Sequence, residues 1–329
     1  MGFSKSALNL DAAKETDRLV GFLQQNIRQN MRRGAVVGIS GGIDSAVVLA
    51  LSVLAFSPGR VVAVMMPDKD SDKLSETLAR ELAAKYGVEP LLEDITKALE
   101  GFNCYKRRDG AIKRVVPDYD PAKGYKAKIV LPQDLLDKET LNVFSVTVIR
   151  PDGSQETKPL PAREMLEIVG ASNLKQRARM STLYFHAEAR QFAVIGTANK
   201  NEHDQGFFVK YGDGGVDYQP IAHLFKTQVY QLARHLGVPE GIQKRTPTTD
   251  TYSAPCDQQE FFYRLPFETM DLLGYALEHK VPVPEVAKVM GLTEAQVQRG
   301  MNDISQKIRT TQFLRLLPPI PEPPQTLAN

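Results

Sequence analysis

Ala35-Val36-Val37-Gly38-Ile39-Ser40-Gly41-Gly42-Ile43-Asp44-Ser45-Ala46-Val47-Val48-Leu49-Ala50-Leu51 is the stretch on which the reading of this chain turns. Its β-branched opening predicts a buried strand, Ser40-Gly41-Gly42 predicts a turn, and the apolar run from Ala46 predicts a helix packed on a sheet. A strand, a glycine turn and a helix N-terminus together form an anion site. Glycine lets backbone N–H groups approach an oxyanion, and the helix dipole adds about half a positive charge. The turn lacks both the Gly-Lys-Ser/Thr ending of a P-loop and the Gly-x-Gly-x-x-Gly spacing of dinucleotide folds.

Working outward, residues 11–33 predict an amphipathic helix with Leu19, Val20, Phe22, Leu23 and Ile27 on one side. Residues 61–66 form a second buried strand and 74–86 the next helix, ended by Gly87. Strand, helix, strand, helix at this spacing predicts an α/β fold with a doubly wound parallel sheet. Ligands in such sheets bind at the carboxyl ends of the strands, where Ser40 and Pro67 fall. Farther on, a helix opening at Asn173 and running to Arg190 leads into a strand at 192–197, with Asn199 and Glu202 just beyond its end. A glycine-rich loop at 207–217 carries Asp213 and Asp217, a helix at 221–236 has Lys226 in its first turn, and 246–250 is a polar loop.

Between these parts, residues 103–161 change character. Lys106, Arg107 and Arg108 read as a solvated basic loop, and 142–150 with 154–158 as a hairpin about Pro151-Asp152-Gly153. The expected organisation is one domain, 1–329, with an inserted hairpin-bearing excursion at 103–161, a helical C-terminal region broken by Pro266, Pro282 and Pro284, and an extended tail at 318–329.

Composition sets bounds. The chain has 329 residues, 42% apolar and 24% charged, and a net charge of +2, so nothing suggests a nucleic-acid partner. Two distant cysteines, Cys104 and Cys256, fit neither a disulfide framework nor a zinc site, and agree with a reducing cytoplasm. No apolar run has the length of a membrane span and no signal-peptide core is evident, so no membrane role is expected. Met1-Gly2 with Ser6 is too short a match to support lipidation.

The turn Ser40-Gly41-Gly42-Ile43-Asp44-Ser45 resembles the pyrophosphate loop of ATP pyrophosphatases. Together with Arg177-Ala178-Arg179-Met180, Gly196-Thr197-Ala198-Asn199-Lys200-Asn201-Glu202 and Lys210-Tyr211-Gly212-Asp213-Gly214-Gly215-Val216-Asp217, in that order, it is similar to NAD synthetases, which amidate nicotinic acid adenine dinucleotide (deamido-NAD). The resemblance implies a Rossmann-like fold of the ATP pyrophosphatase type. It implies a ligase that uses ATP to convert a carboxylate to an acyl-adenylate, and ammonia to displace AMP. On the same basis Gly38, Ile39, Ser40, Gly41, Gly42, Asp44, Ser45, Thr197, Lys226 and Thr248 bind ATP, with Ser40, Gly42 and Ser45 on the pyrophosphate. Asp44 and Glu202 hold Mg2+, Asn173, Arg177, Lys210 and Asp217 contact deamido-NAD, and Asp213 and Lys226 serve catalysis. The family further implies a homodimer, with the first amphipathic helix as a contact.

The resemblance weakens at the C-terminus, where Phe313-Leu314-Arg315 replaces the family's basic tail motif and keeps only the arginine. The excursion precedes the helix expected to meet the dinucleotide, and is expected to reshape the acid pocket. Only some 35 residues precede the first strand, so no fused amidohydrolase domain is expected. Free ammonia is then the nitrogen source, unless a separate glutaminase subunit docks. Three other readings stay open: a paralogue amidating a different acid, a tRNA-modifying adenylating enzyme, and a nucleotide-binding regulator without catalysis.

Overall fold

The computed structural model describes residues 2–133, 135–137, 143–249 and 251–321. Asp11 caps α1 (Ala12–Gln29) by accepting from Lys14 N, and the stripe Leu19, Leu23, Ile27 is buried. The helix stops short of the expected residue 33 because the chain reverses at Met31, where φ is 52°. β1 (Ala35–Gly38), α2 (Ile43–Phe56), β2 (Val61–Met65) and α3 (Lys73–Lys85) follow the expected alternation. A short β3 (Leu91–Leu92) and α4 (Thr96–Gly101) come next.

The sheet order is β3-β2-β1-β7, with β7 at Ala193–Val194 and every pairing parallel. Side chains alternate across it, as a period of two requires. Val37 packs with Leu19, Val47 and Leu51 on one face, and Val36 packs with Val64 and Ala187 on the other. The sheet is thus covered on both sides, and its strands are apolar throughout.

Residues 103–161 differ from the expected excursion in two ways. They begin with a helix, α5 (Cys104–Val115), and Arg108 is buried against Asp70 and Asp109 instead of being solvated. A three-stranded antiparallel sheet then forms in the order β4-β5-β6, from β4 (Lys126–Val130), β5 (Ser145–Ile149) and β6 (Gln155–Pro159). The β5/β6 hairpin is the one its turn residues predict, with Gly153 at φ 84°. Asn142, taken as the first residue of that strand, lies outside the described residues, as does Asp250 of the polar loop.

Pro161 starts α6 (Ala162–Glu188), well before Asn173, because its fixed φ suits the entry to a helix. α7 (Lys200–Gln205) follows β7, and α8 (Lys226–Leu236) begins at Lys226 and not at residue 221. α9 (Glu240–Lys244) leads to the loop after it. The C-terminal part holds α10 (Phe267–Glu278), α11 (Val283–Met290), α12 (Glu294–Thr310) and α13 (Gln312–Arg315). Pro266 and Pro282 cap helices here and Pro284 lies in a first turn, so these prolines start helices as well as separating them. Residues 318–321 have no regular structure, and the rest of the expected tail lies outside the described residues. Among the described residues, no helix is long and apolar enough to cross a membrane.

Candidate active site

The ladder of β1 continues one step past its end, where Ile39 N donates to Val64 O at 2.9 Å, and the chain then leaves the sheet at Ser40. Gly41 adopts φ 70°, and a Cβ there would stand 2.6 Å from Ser75 O, so this position needs glycine twice over. Gly42 caps α2 with extended backbone and no side-chain cap, so no side chain competes for the first-turn N–H groups. Ser45 ties the turn together: its Oγ donates to Gly42 O at 2.9 Å and accepts from Ser40 N at 3.4 Å. This turn forms one wall of a cavity of about 150 Å³.

The facing wall is electrostatic. Lys226 is fully buried, and its ammonium pairs with Asp44 Oδ2. Asn199 Nδ2 holds Asp44 Oδ1 at 3.1 Å, and Asn199 also caps α7 reciprocally with Glu202. Glu202 Oε1 accepts from Gln258 Nε2 at 3.3 Å. Burial, together with the neighbouring charge of Asp44, pushes Glu202 up to about 8. Burial opposes the charge on Lys226, but Asp44 and Glu202 outweigh it and hold its pKa above the usual lysine value. Asp271, buried in α10, accepts from Asn201 Nδ2 at 2.6 Å and Thr227 N at 2.8 Å, which locks α7 to the start of α8. Lys226 and Glu202 therefore project from elements fixed to one another.

Thr197, Thr248 and Asp213 line this cavity and also a larger adjoining one of about 520 Å³ that reaches Gly38, Ile39 and Arg179. Asp213 is exposed to the cleft and crowded by protein on its other sides, and that crowding raises its pKa to about 6. Its Oδ1 accepts from Val209 N at 2.7 Å.

The remaining candidates lie elsewhere. Asn173, Arg177, Lys210 and Asp217 line neither cavity. Arg177 Nη2 donates to Lys210 O at 3.4 Å, and Lys210 Nζ donates to Phe313 O at 3.1 Å and Leu316 O at 2.7 Å. Asp217 sits at the edge of β7, accepting from Val194 N and from the Tyr184 hydroxyl. Arg315, the surviving basic residue of the tail motif, is turned onto the carbonyls of His203 and Ile308.

Sequence reasoning missed Arg245, Ser75 and Gln258, all of which line the smaller cavity. Arg245 Nη2 donates to Ser75 Oγ at 2.8 Å, beside the glycine turn. Position along the chain carried no signal for it, since Arg245 and Ser75 are 170 residues apart. Also missed was the anchor of Arg179, which donates to Met66 O at 3.1 Å and Asp68 Oδ2 at 3.2 Å. Asp68 is in turn held by the buried Lys175 at 3.1 Å.

A sequence profile of the family described as NAD synthase matches residues 15–115 and 134–318. The NH(3)-dependent NAD(+) synthetase of Rhizobium meliloti is 45% identical over 321 residues, covering 98% of this chain and 95% of that protein. Its counterpart from Mesorhizobium japonicum is 47% identical over 312 residues, covering 94% of this chain and 97% of its own. Among solved structures, the NH3-dependent NAD synthetase from Campylobacter jejuni subsp. jejuni in complex with the nitrate ion aligns with a TM-score of 0.61. It covers 95% of this chain and 100% of that one at 24% identity, a likeness of fold.

Proposed function

The chain belongs to the NAD synthase family, and from that premise we infer that it amidates deamido-NAD to NAD with ATP and ammonia. A nicotinate carboxylate oxygen attacks the α-phosphorus of ATP, the bond to the bridging oxygen breaks, and pyrophosphate leaves. Ammonia then attacks the acyl carbon, AMP departs with the C–O electron pair, and a proton is lost from nitrogen. Both steps concentrate negative charge, so catalysis rests on donors and cations placed before the reaction begins.

This chain's residues suit those demands. The turn at 40–45, entering α2 without a side-chain cap, receives the departing pyrophosphate, with Ser40, Gly42 and Ser45 against its oxygens. Lys226 supplies a buried positive charge that acts more strongly there than in water. Thr197 and Thr248 bind ATP from the two sides of the same cavity. Asp213, raised towards neutrality, is suited to hold ammonium and accept its proton.

Asp44 and Glu202 would hold Mg2+. The fit lies in the donor set: two hard carboxylates line one cavity, and the charge of Asp44 raises the cost of ionising Glu202, which a divalent cation would relieve. When bound, the ion would neutralise charge on the phosphates. Asn173, Arg177, Lys210 and Asp217 would meet deamido-NAD, which requires Lys210 to exchange its bonds to Phe313 and Leu316 for the ligand.

The observation that carries the reading is Lys226 of α8 reaching Asp44 at the end of the glycine turn, with Glu202 in the lining of the same cavity. Incubation with ATP, Mg2+, ammonium and deamido-NAD, followed by mass spectrometry, should show NAD, AMP and pyrophosphate in equal amounts. ADP and phosphate instead, or no NAD, would refute it. A homodimer with α1 at its contact is also proposed, and a monomeric sedimentation profile would refute that. Both cysteines are free and buried, which supports a reducing cytoplasm. A separate glutaminase subunit is a further proposal, read by whether glutamine replaces ammonium only when that subunit is added.

A further inference from the structure

We propose that the sheet β4-β5-β6 is a brace for residues 246–260, so that this sheet acts on the nucleotide side of the site. This rests on reading the cavity beside the glycine turn as the ATP site.

The outer edge of β4 is spent on this segment. Ala127 N donates to Ser253 Oγ at 3.0 Å, Ala254 N donates to Ala127 O at 3.2 Å, and Leu131 N donates to Glu260 O at 2.9 Å. Lys128 Nζ adds an ion pair to Glu260 at 2.8 Å. Tyr252 and Cys256 are buried in the same apolar core as Ile129, Val146 and Val148 of the inserted sheet. An unpaired strand edge is costly to leave bare, and here the loop covers it.

Within the braced segment the chain folds back on itself. Thr249 N donates to Cys256 O at 3.0 Å, and Gln258 N donates to Pro247 O at 3.1 Å. The segment then tightens into a π-helical turn, Gln259–Tyr263. The face away from the brace brings Thr246, Pro247, Thr248 and Gln258 to the cavity, and Gln258 reaches Glu202. A stretch of this length without a partner would sample open states, and apparent ligand affinity falls with the fraction that is closed. The β4 edge removes that loss by ordering the segment before ATP arrives. The family profile passes over 116–133, the stretch that contains β4, while β5, β6 and the braced segment lie in the part it matches.

Hydrogen exchange and steady-state kinetics on the full chain test this. In nucleotide-free protein the amides of 251–260 should exchange slowly. Ala127→Pro deletes the donor aimed at Ser253, and should speed exchange across 246–260 by roughly ten-fold while β1 and β2 stay protected. KM for ATP should rise roughly five-fold, with kcat and KM for deamido-NAD changing less than two-fold. Should proline unfold β4 itself, Ser253→Ala combined with Lys128→Ala leaves the backbone intact and should move both readouts the same way by a smaller factor. Free-chain exchange of 251–260 in the native protein, an unmoved segment in both variants, or a shift confined to deamido-NAD would each overturn the brace. ATP-induced protection of 40–45 is read separately. Its absence would sink the ATP reading and leave the brace standing, because the brace is measured without nucleotide.

Discussion

Two walls of one cavity are held in different ways. The turn at 40–45 is ordered by its chain neighbours: a strand before it, a helix after it, and Ser45 reaching back five residues to Ser40. Residues 251–260, by contrast, are tied to β4 at Ser253, 126 residues away along the chain. Local order needs little loop closure, whereas the second wall costs the entropy of a long loop and depends on every contact of the inserted sheet. The difference explains why one wall is written as a short motif and the other is spread across distant residues.

The largest effect is expected from removing the cation that pairs with the local wall. Lys226→Met leaves the half-buried Asp44 and Glu202 without their cation, and should lower kcat by about 100- to 1000-fold. It should also cost about 3 kcal/mol of folding stability in metal-free protein, measured by denaturant titration. A rate within tenfold of the native protein would remove Lys226 from the chemistry.

Gly41→Ala strikes the local wall first, where its Cβ also nears Arg245 at 3.3 Å. A left-handed alanine and a Cβ 2.6 Å from Ser75 O should cost about 2 kcal/mol or more, and should weaken ATP binding with it. Calorimetric titration with ATP checks the binding. Arg245→Ala acts next to the second wall, and should raise KM for ATP by roughly ten-fold through loss of a charge-assisted contact, with little change in melting temperature. Equal effects of both variants on stability would erase the distinction between the walls.

The smallest effect expected is on pH dependence. Asp213, open to the cleft but crowded by protein on its other sides, binds its proton more tightly folded, at about 6, than its ordinary 3.8. Folding therefore takes up a proton between about pH 4 and pH 6, and Asp213 costs stability increasingly as pH rises through that window. Asp213→Asn lacks the penalty, so its melting temperature relative to the native protein should be higher at pH 7 than at pH 4.5. A difference independent of pH would contradict the raised pKa.

The parallel sheet was legible because buried strands are continuous apolar runs and glycine ends them. The candidate ATP residues were legible for a related reason, since most of them sit on short motifs at strand ends. The start of α6 at Ala162 was not, because Pro161 was taken as the end of an excursion and not as the start of a helix. Arg108 was read as solvated because a basic run gives no sign that Asp70 and Asp109 stand buried beside it. The stretch 103–161 was expected to reshape the acid pocket from its place in the chain; its helix α5 meets α6 at Ala171, and its sheet shares a core with Tyr252 and Cys256.

By itself, then, the order of residues determined what local forces decide: which runs become strands, where glycine permits the turn at Gly41, and that a helix starts directly after it. Only the tertiary structure decided that Lys226 meets Asp44 across 182 residues, that Arg245 stands beside the turn, and that β4 meets Ser253. Such pairings join groups whose separation along the chain carries no periodic signal. Burial sets their worth, and burial exists only once the layers have packed.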